Sequence, residues 1–343
     1  MRVLIDTSYV ARGPSGTSVY VQQLVRALEA EGADVVQARQ RRRLRPGDGN
    51  PLRSAANAAL DRLWLHAGLP RAARIACADV VHHPLPAHSR RIEAAQVVTV
   101  HDVAFAGMRS HYSGAWRALA LRAYRRAAGA AGALVCVSEA TAAEAVDLLG
   151  ADRARVVVAP HGPGQVEPAA GVREDRPDGP LLFVGDAEPR KNLSGLLAAY
   201  ARYRAGADAP APLVLAGAAA AAAGEPGVSG VARPSRDELT ALMDGARALV
   251  HPSLHEGFGL PLVEAMALGV PVVAVANAGA REVCADAALL VEADGLADAM
   301  ASVAGDADLR AGLGARGLER AKQFSWRKSA RAHLRAYTLA VGP

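Results

Sequence analysis

Short apolar runs alternate with longer amphipathic segments along the whole chain. Arg2–Asp6, Ala133–Val137 and Leu181–Gly185 are largely apolar runs of this kind. Because their apolar residues fall on both faces, they predict strands of parallel sheets that are covered by helices on both sides. The segments between them have the length and spacing of surface helices. The pattern predicts an α/β protein with doubly wound parallel sheets.

One stretch interrupts this alternation. Residues Gln165–Pro180 are rich in Pro, Gly and charge and show no period, which is typical of an interdomain linker. A chain of 343 residues is also too long for one typical core and about right for two. We therefore expect an N-terminal domain over 1–165, a linker over 166–179, a second domain over 180–325 and a terminal helix over 326–343.

Composition narrows the class of protein. About half of the residues are apolar, yet no window reaches the roughly 18 uninterrupted apolar residues of a membrane span. The first apolar run ends at Asp6, so it predicts a strand and not a signal peptide. The three Cys are scattered, as expected in a reducing cytoplasm, and no Cys/His group has the spacing of a zinc site. We expect a cytoplasmic protein.

Basic residues are concentrated in the first half of the chain. Residues 1–170 hold 21 basic and 14 acidic residues, net +7, whereas residues 171–343 hold 18 and 20, net −2. Arg122, Arg125 and Arg126 come together on a predicted helix. This charge favours either a solvated Arg-rich face or peripheral contact with an anionic membrane or a phosphorylated acceptor. Nucleic acid is not expected, because no aromatic-rich reading surface accompanies the charge.

The most informative stretch is His251–Ala267. A buried strand ends there in a Gly-rich turn, and Pro261 occupies the place of a first-turn helical proline. The N–H groups at such a helix start suit an anion or sugar hydroxyls. Glu256 lies in the turn and Glu264 follows on the helix. One carboxylate can therefore reach a ligand while the other holds a group bound beside it.

This stretch resembles the Glu-x7-Glu signature of the retaining glycosyltransferases of family 4. The resemblance implies the glycosyltransferase-B fold, in which two Rossmann-like doubly wound domains face a cleft and the terminal helix crosses back to the first domain. It implies that Glu256 is a catalytic residue beside the donor sugar and that Glu264 binds the ribose hydroxyls. The other donor-binding residues that it implies in the turn are Gly257, Phe258, Gly259 and Leu260. A plain strand–turn–helix crossover with two solvent-facing Glu is the alternative.

Two adjacent cations follow the strand Leu181–Gly185. Arg190 and Lys191 stand at a predicted helix start, where Arg can grip two phosphate oxygens and Lys supplies a point charge. The segment resembles the phosphate motif of the same family, with one departure. Asp186 occupies the usual place of an Arg, so we infer that Arg190 supplies the second charge for a diphosphate.

Further site residues come from the same resemblance. Gly16 lies in the glycine turn after the first strand and matches the loop that approaches the donor diphosphate. His101 follows the strand Gln96–Val100, and a His at that end faces the crevice where ligands bind; the resemblance gives it a catalytic place near the sugar. Val231 and Arg233 are implied to hold the nucleobase through backbone contacts.

Three other histidines also follow strands. His82, His83 and His161 either line the acceptor side or are ordinary loop histidines with satisfied hydrogen bonds. The residues alone leave both interpretations open.

The resemblance implies transfer of a hexose, with retention, from a nucleotide-diphosphate sugar to a hydroxyl of a glycan, lipid-linked or small-molecule acceptor. No Asp-x-Asp metal motif is present, and we expect neither a metal nor another cofactor. The form Glu-Pro-Arg-Lys-Asn looks like that of bacterial mannosyl- and rhamnosyltransferases, which favours GDP-mannose over UDP-linked sugars. A nucleotide-sugar 2-epimerase on the same fold and an inactive nucleotide-sugar-binding module remain as alternatives.

Overall fold

The computed structural model describes residues 1–10, 15–41, 51–108, 112–167, 171 and 173–342. The chain divides into two compact units. Unit 1 comprises Met1–Ala106, Tyr112–Pro160 and Trp326–Pro343, and unit 2 comprises Gly107–His111 and His161–Ser325. Among the described residues, no helix combines the length and apolarity needed to cross a membrane.

The strands are short and largely buried. In chain order they are β1 (Arg2–Asp6), β2 (Asp34–Ala38), β3 (Val80–His83), β4 (Ala95–Val100), β5 (Ala133–Cys136), β6 (Val156–Val158), β7 (Leu181–Val184), β8 (Leu213–Ala216), β9 (Val228–Val231), β10 (Ala248–His251), β11 (Val272–Val275) and β12 (Leu289–Val291).

Helices connect almost every pair of successive strands. In chain order they are α1 (Gly16–Ala30), α2 (Pro51–Leu63), α3 (Leu69–Ile75), α4 (Ala104–Gly107), α5 (Gly114–Ala130), α6 (Glu139–Leu149), α7 (Leu193–Gly206), α8 (Arg236–Gly245), α9 (Leu260–Ala267), α10 (Ala278–Cys284), α11 (Leu296–Gly305), α12 (Ala307–Ala321) and α13 (Trp326–Val341).

Unit 1 is built on a parallel sheet with the strand order β2-β1-β3-β4-β5-β6. Successive side chains of β1 point to opposite faces, as the strand period requires. Val3 and Ile5 pack with residues of α1 and α13, while Leu4 packs with residues of α3 on the other face. The sheet is therefore covered on both sides.

Unit 2 has the strand order β12-β11-β10-β7-β8-β9, again with parallel pairs throughout. Read from β7 as the first strand, this is the 3-2-1-4-5-6 order of a Rossmann sheet, whose direction of winding changes between β7 and β10. Leu181 pairs with Ala248 at that point. The loops that leave the carboxyl ends of β7 and β10 consequently lie side by side.

The C-terminal helix α13 belongs to unit 1. Ala330, Ala336 and Tyr337 are fully buried in its core. Glu31, at the end of α1, accepts hydrogen bonds from Arg327 (2.8 Å) and Arg331 (2.6 Å) of α13. The end of the chain is thus part of the first folded unit.

The division between the units falls between Pro160 and His161, before the segment 166–179. Residues 168–170 and 172 of that segment lie outside the described residues. Its described part is bound to unit 2, since Arg310 donates to Asp175 (Nε to Oδ1, 2.8 Å) and Arg176 donates to Asp244 (Nη2 to Oδ2, 3.2 Å). In that described part the segment is anchored by ion pairs.

Candidate functional site

The loop between β10 and α9 has a conformation that depends on glycine. Gly259 has φ = 88°, in the left-handed region, and a Cβ there would lie 2.7 Å from Cδ1 of Leu262. Pro261 stands in the first turn of α9, where its missing N–H costs no hydrogen bond. The helix therefore starts abruptly after the loop that carries Glu256.

The Glu256 side chain accepts hydrogen bonds from three groups. Its Oε1 lies 2.6 Å from Lys191 Nζ and 3.0 Å from His251 Nε2, and its Oε2 lies 3.1 Å from Arg190 Nη1. Glu256, Lys191 and His251 are all buried, and Arg190 is mostly so. The structure thus brings the predicted catalytic Glu into direct contact with both predicted phosphate-binding cations.

This cluster fixes the protonation of its members. Burial by itself raises the pKa of the Glu256 carboxyl, but the charges of Lys191 and Arg190 and the contact with His251 hold that pKa well below its usual range. Burial lowers the pKa of His251, against the opposing effect of Glu256. Glu256 is therefore an ionised carboxylate, and His251 is a neutral donor beside it.

Two neighbouring loops hold the Glu256 loop in place. Leu254 N–H donates to the carbonyl of Arg190 (2.9 Å), which ties the loop after β10 to the loop after β7. From the other side, Asn277 Nδ2 donates to the carbonyl of Ser253 (2.9 Å). A Cβ at Gly279 would collide with the Glu256 carbonyl oxygen, so only glycine permits this approach of α10.

Glu264 lies on α9 and is fully buried. Its Oε1 accepts hydrogen bonds from the backbone N–H groups of Gly164 (3.2 Å) and Gln165 (2.9 Å). Its Oε2 has no hydrogen-bond partner within the described ranges. Burial raises the pKa of Glu264 to about 7, although the two backbone donors oppose that rise. One oxygen of Glu264 is thus held by two backbone donors, and the Gln165 side chain is a further group near this carboxyl that opposes the rise of its pKa.

The remaining residues of the turn have mixed surroundings. The Phe258 ring is buried and lies edge-on to His161 (5.0 Å between centroids) and Phe324 (5.5 Å). Its side chain is therefore a packing element, and a donor-binding role for Phe258 rests on its backbone. Gly257, Gly259 and Leu260 surround the start of α9, where the first N–H groups of a helix have no intrahelical acceptor.

Val231 and Arg233 lie at the carboxyl end of β9, on the edge of the sheet and two strands from β7. The Val231 carbonyl already accepts a hydrogen bond from Gly217 N–H (3.0 Å). Arg233 is exposed and has φ = 52°, an unusual conformation for a residue with a side chain. In the described structure, neither Val231 nor Arg233 forms a hydrogen bond or ion pair with Glu256. Their role in binding a nucleobase stays a prediction.

Gly16 and His101 belong to unit 1. Gly16 is the first residue of α1, capped by Ser15, whose Oγ accepts from Ser18 N–H (3.2 Å). The His101 Nε2 atom donates to the Pro84 carbonyl (3.0 Å), and its ring lies edge-on to Tyr20 at 4.7 Å. Residues 11–14 of the glycine turn lie outside the described residues.

The sequence analysis gave no role to His251, Asn277 or the amides of Gly164 and Gln165. A signal for His251 was present, because a His at the carboxyl end of a strand was the reason for choosing His101. Asn277 donates to a backbone carbonyl, and Gly164 and Gln165 donate through their backbone N–H groups. These contacts join segments that are far apart in the chain, so the local sequence pattern does not predict them.

Comparison with known families agrees with this geometry. The family model described as Glycosyl transferases group 1 matches residues 171–320, and the one described as Glycosyltransferase Family 4 matches residues 14–162. The two matches together span most of the chain. The chain therefore belongs to the family 4 and group 1 glycosyltransferases.

Several curated proteins are similar in sequence. The O-antigen chain mannosyltransferase B of Escherichia coli is 32% identical over 52% of this chain and 51% of its own length. The MMP alpha-(1->4)-mannosyltransferase of Mycolicibacterium hassiacum is 35% identical over 49% and 45%. A D-inositol 3-phosphate glycosyltransferase of Kineococcus radiotolerans is 31% identical over 62% and 58%. The matched part spans about half the length of these relatives.

Solved structures with low sequence identity share the fold. Sucrose-phosphate synthase from Thermosynechococcus elongatus superposes with a TM-score of 0.77 at 20% identity, covering 98% of each chain. WaaG, a glycosyltransferase involved in lipopolysaccharide biosynthesis, gives 0.68 at 17% identity over 100% of each chain. Anabaena Alr3699/HepE in complex with UDP-glucose gives 0.68 at 16%, over 96% and 97%. The chain has the glycosyltransferase-B fold.

Proposed function

We propose that this protein is a retaining hexosyltransferase that moves a sugar, with mannose favoured, from a nucleotide-diphosphate donor to a hydroxyl acceptor without a metal ion. The observation that carries the proposal is the buried contact of Glu256 with Lys191 and Arg190 between β7 and β10. Ligands of open parallel sheets bind at the point where the winding reverses. Arg190 also pairs with the half-exposed Glu188 (Nε to Oε2, 2.9 Å), and an anionic ligand can take the place of that exposed carboxylate at the guanidinium.

The donor diphosphate is assigned to Arg190 and Lys191. These two cations face the buried carboxylate of Glu256 and, at the edge of the cluster, the half-exposed carboxylate of Glu188, which pairs with Arg190 (2.9 Å). A diphosphate can replace Glu188 at the guanidinium and add a second contact to Lys191. Such charges can stabilise the leaving diphosphate without a metal, as fixed dipoles and cations do in other transfer enzymes. The described residues contain no group of three His, Cys, Asp or Glu that could hold a metal ion.

Glu264 is assigned to the ribose of the donor. Its Oε2 is buried without a hydrogen-bond partner in the described part of the chain. A buried acceptor without a donor is costly, so a ligand that supplies hydroxyl donors at that atom would be bound firmly. The backbone amides of Gly257 and Leu260 are assigned to phosphate and sugar oxygens. Of the next two residues of α9, Pro261 has no N–H and the Leu262 N–H donates to the Gly259 carbonyl (3.0 Å).

Mannose is favoured by two observations. Two of the relatives named above are mannosyltransferases, and the segment Glu188–Asn192 resembles that of bacterial mannosyl- and rhamnosyltransferases. The complex of Alr3699/HepE with UDP-glucose, a protein of the same fold, keeps UDP-linked donors as the second candidate. GDP-mannose is the first donor to try.

The proposed reaction breaks the bond between the sugar anomeric carbon and the donor phosphate and forms a bond from that carbon to the acceptor oxygen. The acceptor hydroxyl proton passes to the departing phosphate, and attack on the face that the phosphate leaves retains the configuration. Glu256, as a carboxylate, stabilises the positive charge that develops on the sugar ring. A place for His101 beside the same sugar remains a prediction from the family resemblance.

The experiment incubates the protein with GDP-mannose or UDP-glucose in EDTA, with and without a panel of glycan, lipid-linked and small-molecule alcohols. The product is analysed by mass and by the anomeric configuration in NMR spectra. A new retained glycoside that forms only with an acceptor supports the proposal. An altered sugar nucleotide from donor alone would favour the 2-epimerase, and binding with no product would favour an inactive binding module.

We further propose that unit 1 contacts an anionic membrane through α5. This helix of 17 residues buries only Ala127 and Ala128, and it contains no Asp or Glu. Leu119 is 69% exposed, and the exposed Arg122 and Arg126 lie one helical turn apart on the same side. An exposed apolar side chain flanked by unneutralised Arg is typical of a helix that lies on a negatively charged lipid surface.

Vesicles test this face directly. Wild-type protein should sediment with phosphatidylglycerol vesicles at low salt, remain free with phosphatidylcholine, and be released from the anionic vesicles by high salt. The double substitution Arg122→Gln and Arg126→Gln should weaken the association by about 10- to 30-fold, since each basic residue contributes about 1 kcal/mol. Replacing the exposed Arg202 and Arg204 of unit 2 by Gln removes the same charge and serves as the control. Equal binding by both double variants would disprove a role for α5.

A further inference from the structure

The three groups that hold Glu256 differ in charge. Lys191 and Arg190 are cations, whereas His251 is neutral because burial lowers its pKa. His251 is the last residue of β10, is fully buried, and pairs in register with Ala274 of β11. Its backbone is therefore fixed by the sheet.

The His251 ring makes its hydrogen bond to one atom only. Nε2 lies 3.0 Å from Glu256 Oε1, and Nδ1 has no hydrogen-bond partner within the described residues. The carboxylate is acceptor-only, so the neutral ring carries its proton on Nε2 and donates it to Glu256. Among the described residues, Glu256 is therefore the hydrogen-bond partner of this ring.

The cations and the histidine must respond differently to an anionic ligand. A diphosphate at Arg190 and Lys191 competes with Glu256 for the same N–H groups, because both ligands are anions. A neutral imidazole is attracted much less by the diphosphate and keeps its bond to Oε1. Without His251, Glu256 would lose its hydrogen-bond partners when the sugar nucleotide binds.

We propose that His251 is a positioning residue that holds the Glu256 carboxylate in place while a diphosphate engages Arg190 and Lys191. This inference rests on the proposed function, because it requires that a diphosphate binds at Arg190 and Lys191. His251 acts through Glu256 and needs no contact with the ligand.

The test compares His251→Leu with His251→Gln in GDP-mannose turnover. Leu removes the donor, whereas the amide of Gln places an N–H close to the position of Nε2. A hydrogen bond to a charged group is worth enough to lower kcat by about 10- to 100-fold in the Leu variant. The KM for GDP-mannose and the Kd for GDP should change by less than about threefold, and Gln should restore most of kcat.

If the Leu variant does not fold, His251→Asn can be compared with His251→Gln instead. His251→Asn is polar but too short to reach Oε1, so Asn should lose kcat where Gln keeps it, with similar melting temperatures for both. Wild-type kcat in the Leu or Asn variant would overturn the inference, as would equal losses of kcat, GDP binding and thermal stability in Gln and Leu. If wild-type protein turns over neither GDP-mannose nor UDP-glucose, the proposed function itself fails and the role of His251 fails with it.

Discussion

Each unit of this protein contains a buried polar cluster, and one cluster is ionised whereas the other is neutral. The cluster of unit 2 joins Glu256 to Lys191, Arg190 and His251, and the half-exposed Glu188 also pairs with Arg190 at its edge (2.9 Å). The cluster of unit 1 joins α1, β3, β4 and α13 through neutral side chains. Its members are Tyr20, His82, Thr99, His333 and Tyr337.

The unit 1 cluster is a continuous line of hydrogen bonds from Tyr337 to the Ser329 carbonyl. His333 Nδ1 donates to the Ser329 carbonyl (2.8 Å), so its Nε2 accepts from the Tyr20 hydroxyl (2.8 Å). Tyr20 accepts in turn from Thr99, which accepts from His82 Nε2 (2.8 Å each), and Tyr337 donates to His82 Nδ1 (2.7 Å). Every step has one donor and one acceptor.

Burial keeps this chain neutral. It lowers the pKa of His333 to about 4 and that of His82 well below its usual range, and it raises the pKa of Tyr20 and of Tyr337. Because the hydrogen bonds of this neutral cluster are made within the protein, the cluster requires no ligand. It also connects α13 to the sheet. A cluster of ionised side chains whose cation pairs with a half-exposed carboxylate, as Arg190 does with Glu188, can exchange that carboxylate for an anionic ligand. The comparison therefore separates a structural polar cluster from a functional one.

The largest effect is expected at Glu256. Glu256→Gln keeps the size of the side chain and removes the negative charge that we assign to stabilising the sugar. We expect turnover of GDP-mannose to fall by about 100- to 1000-fold, with the melting temperature near that of wild type. Glu292→Gln, at an exposed ion pair with Arg281 in the same unit, is the matched control. Turnover of Glu256→Gln within a few-fold of wild type would refute the catalytic assignment.

An intermediate effect, on stability alone, is expected in unit 1. Tyr20→Phe leaves the His333 Nε2 atom without a donor and the Thr99 hydroxyl without an acceptor, and the free energy of unfolding of unit 1 should fall by about 1–3 kcal/mol. The control is Tyr124→Phe, whose half-buried ring has no hydroxyl hydrogen bond in the described structure and should change stability little. Denaturant unfolding gives both values. An unchanged midpoint for Tyr20→Phe would contradict the structural role of this cluster.

The smallest effect concerns the pH dependence at Glu264. Its pKa is raised to about 7, so the carboxylate form that accepts ribose hydroxyls grows as pH rises through that value. GDP-mannose affinity should increase by up to about tenfold between about pH 6 and pH 8 in wild type and stay flat in Glu264→Gln. Calorimetric titration measures this. The same slope in both proteins would exclude Glu264 as its source.

The same raised pKa has a consequence for the free protein. A carboxyl whose pKa is higher in the folded state contributes stability at low pH that is lost as pH rises towards its folded pKa of about 7. Wild type should therefore lose stability relative to Glu264→Gln between about pH 4.5 and pH 7, by about 3 kcal/mol. Unfolding curves across that range give an estimate that is independent of any ligand.

Much of the fold followed from local pattern. The run Arg2–Asp6 has the bounds of β1, and the runs Ala133–Val137 and Leu181–Gly185 each extend one residue beyond the observed strand. The helix α1 starts at Gly16 because Ser15 caps it. The strand orders did not follow from local pattern, since they depend on contacts between segments far apart in the chain.

The site divides in the same way. The motif around Glu256 and the pair Arg190 and Lys191 are each contiguous in sequence, and the structure brings them into direct contact. His82 and His83 were open between an acceptor role and satisfied hydrogen bonds, and both are buried and hydrogen-bonded. His251 ends a strand, which is the signal that selected His101, but its contact with Glu256 depends on the fold of the loop after β10.

The central claim is that the charged cluster of unit 2 binds the diphosphate of a nucleotide sugar. The most direct measurement is thermal shift with GDP, UDP, ADP and dTDP in EDTA, comparing wild type with Lys191→Met, because a ligand of the folded state must raise the melting temperature. The account predicts that one nucleotide stabilises wild type without metal and that Lys191→Met abolishes most of that shift. A panel that leaves wild type unmoved, or an equal shift in the variant, would contradict the assignment.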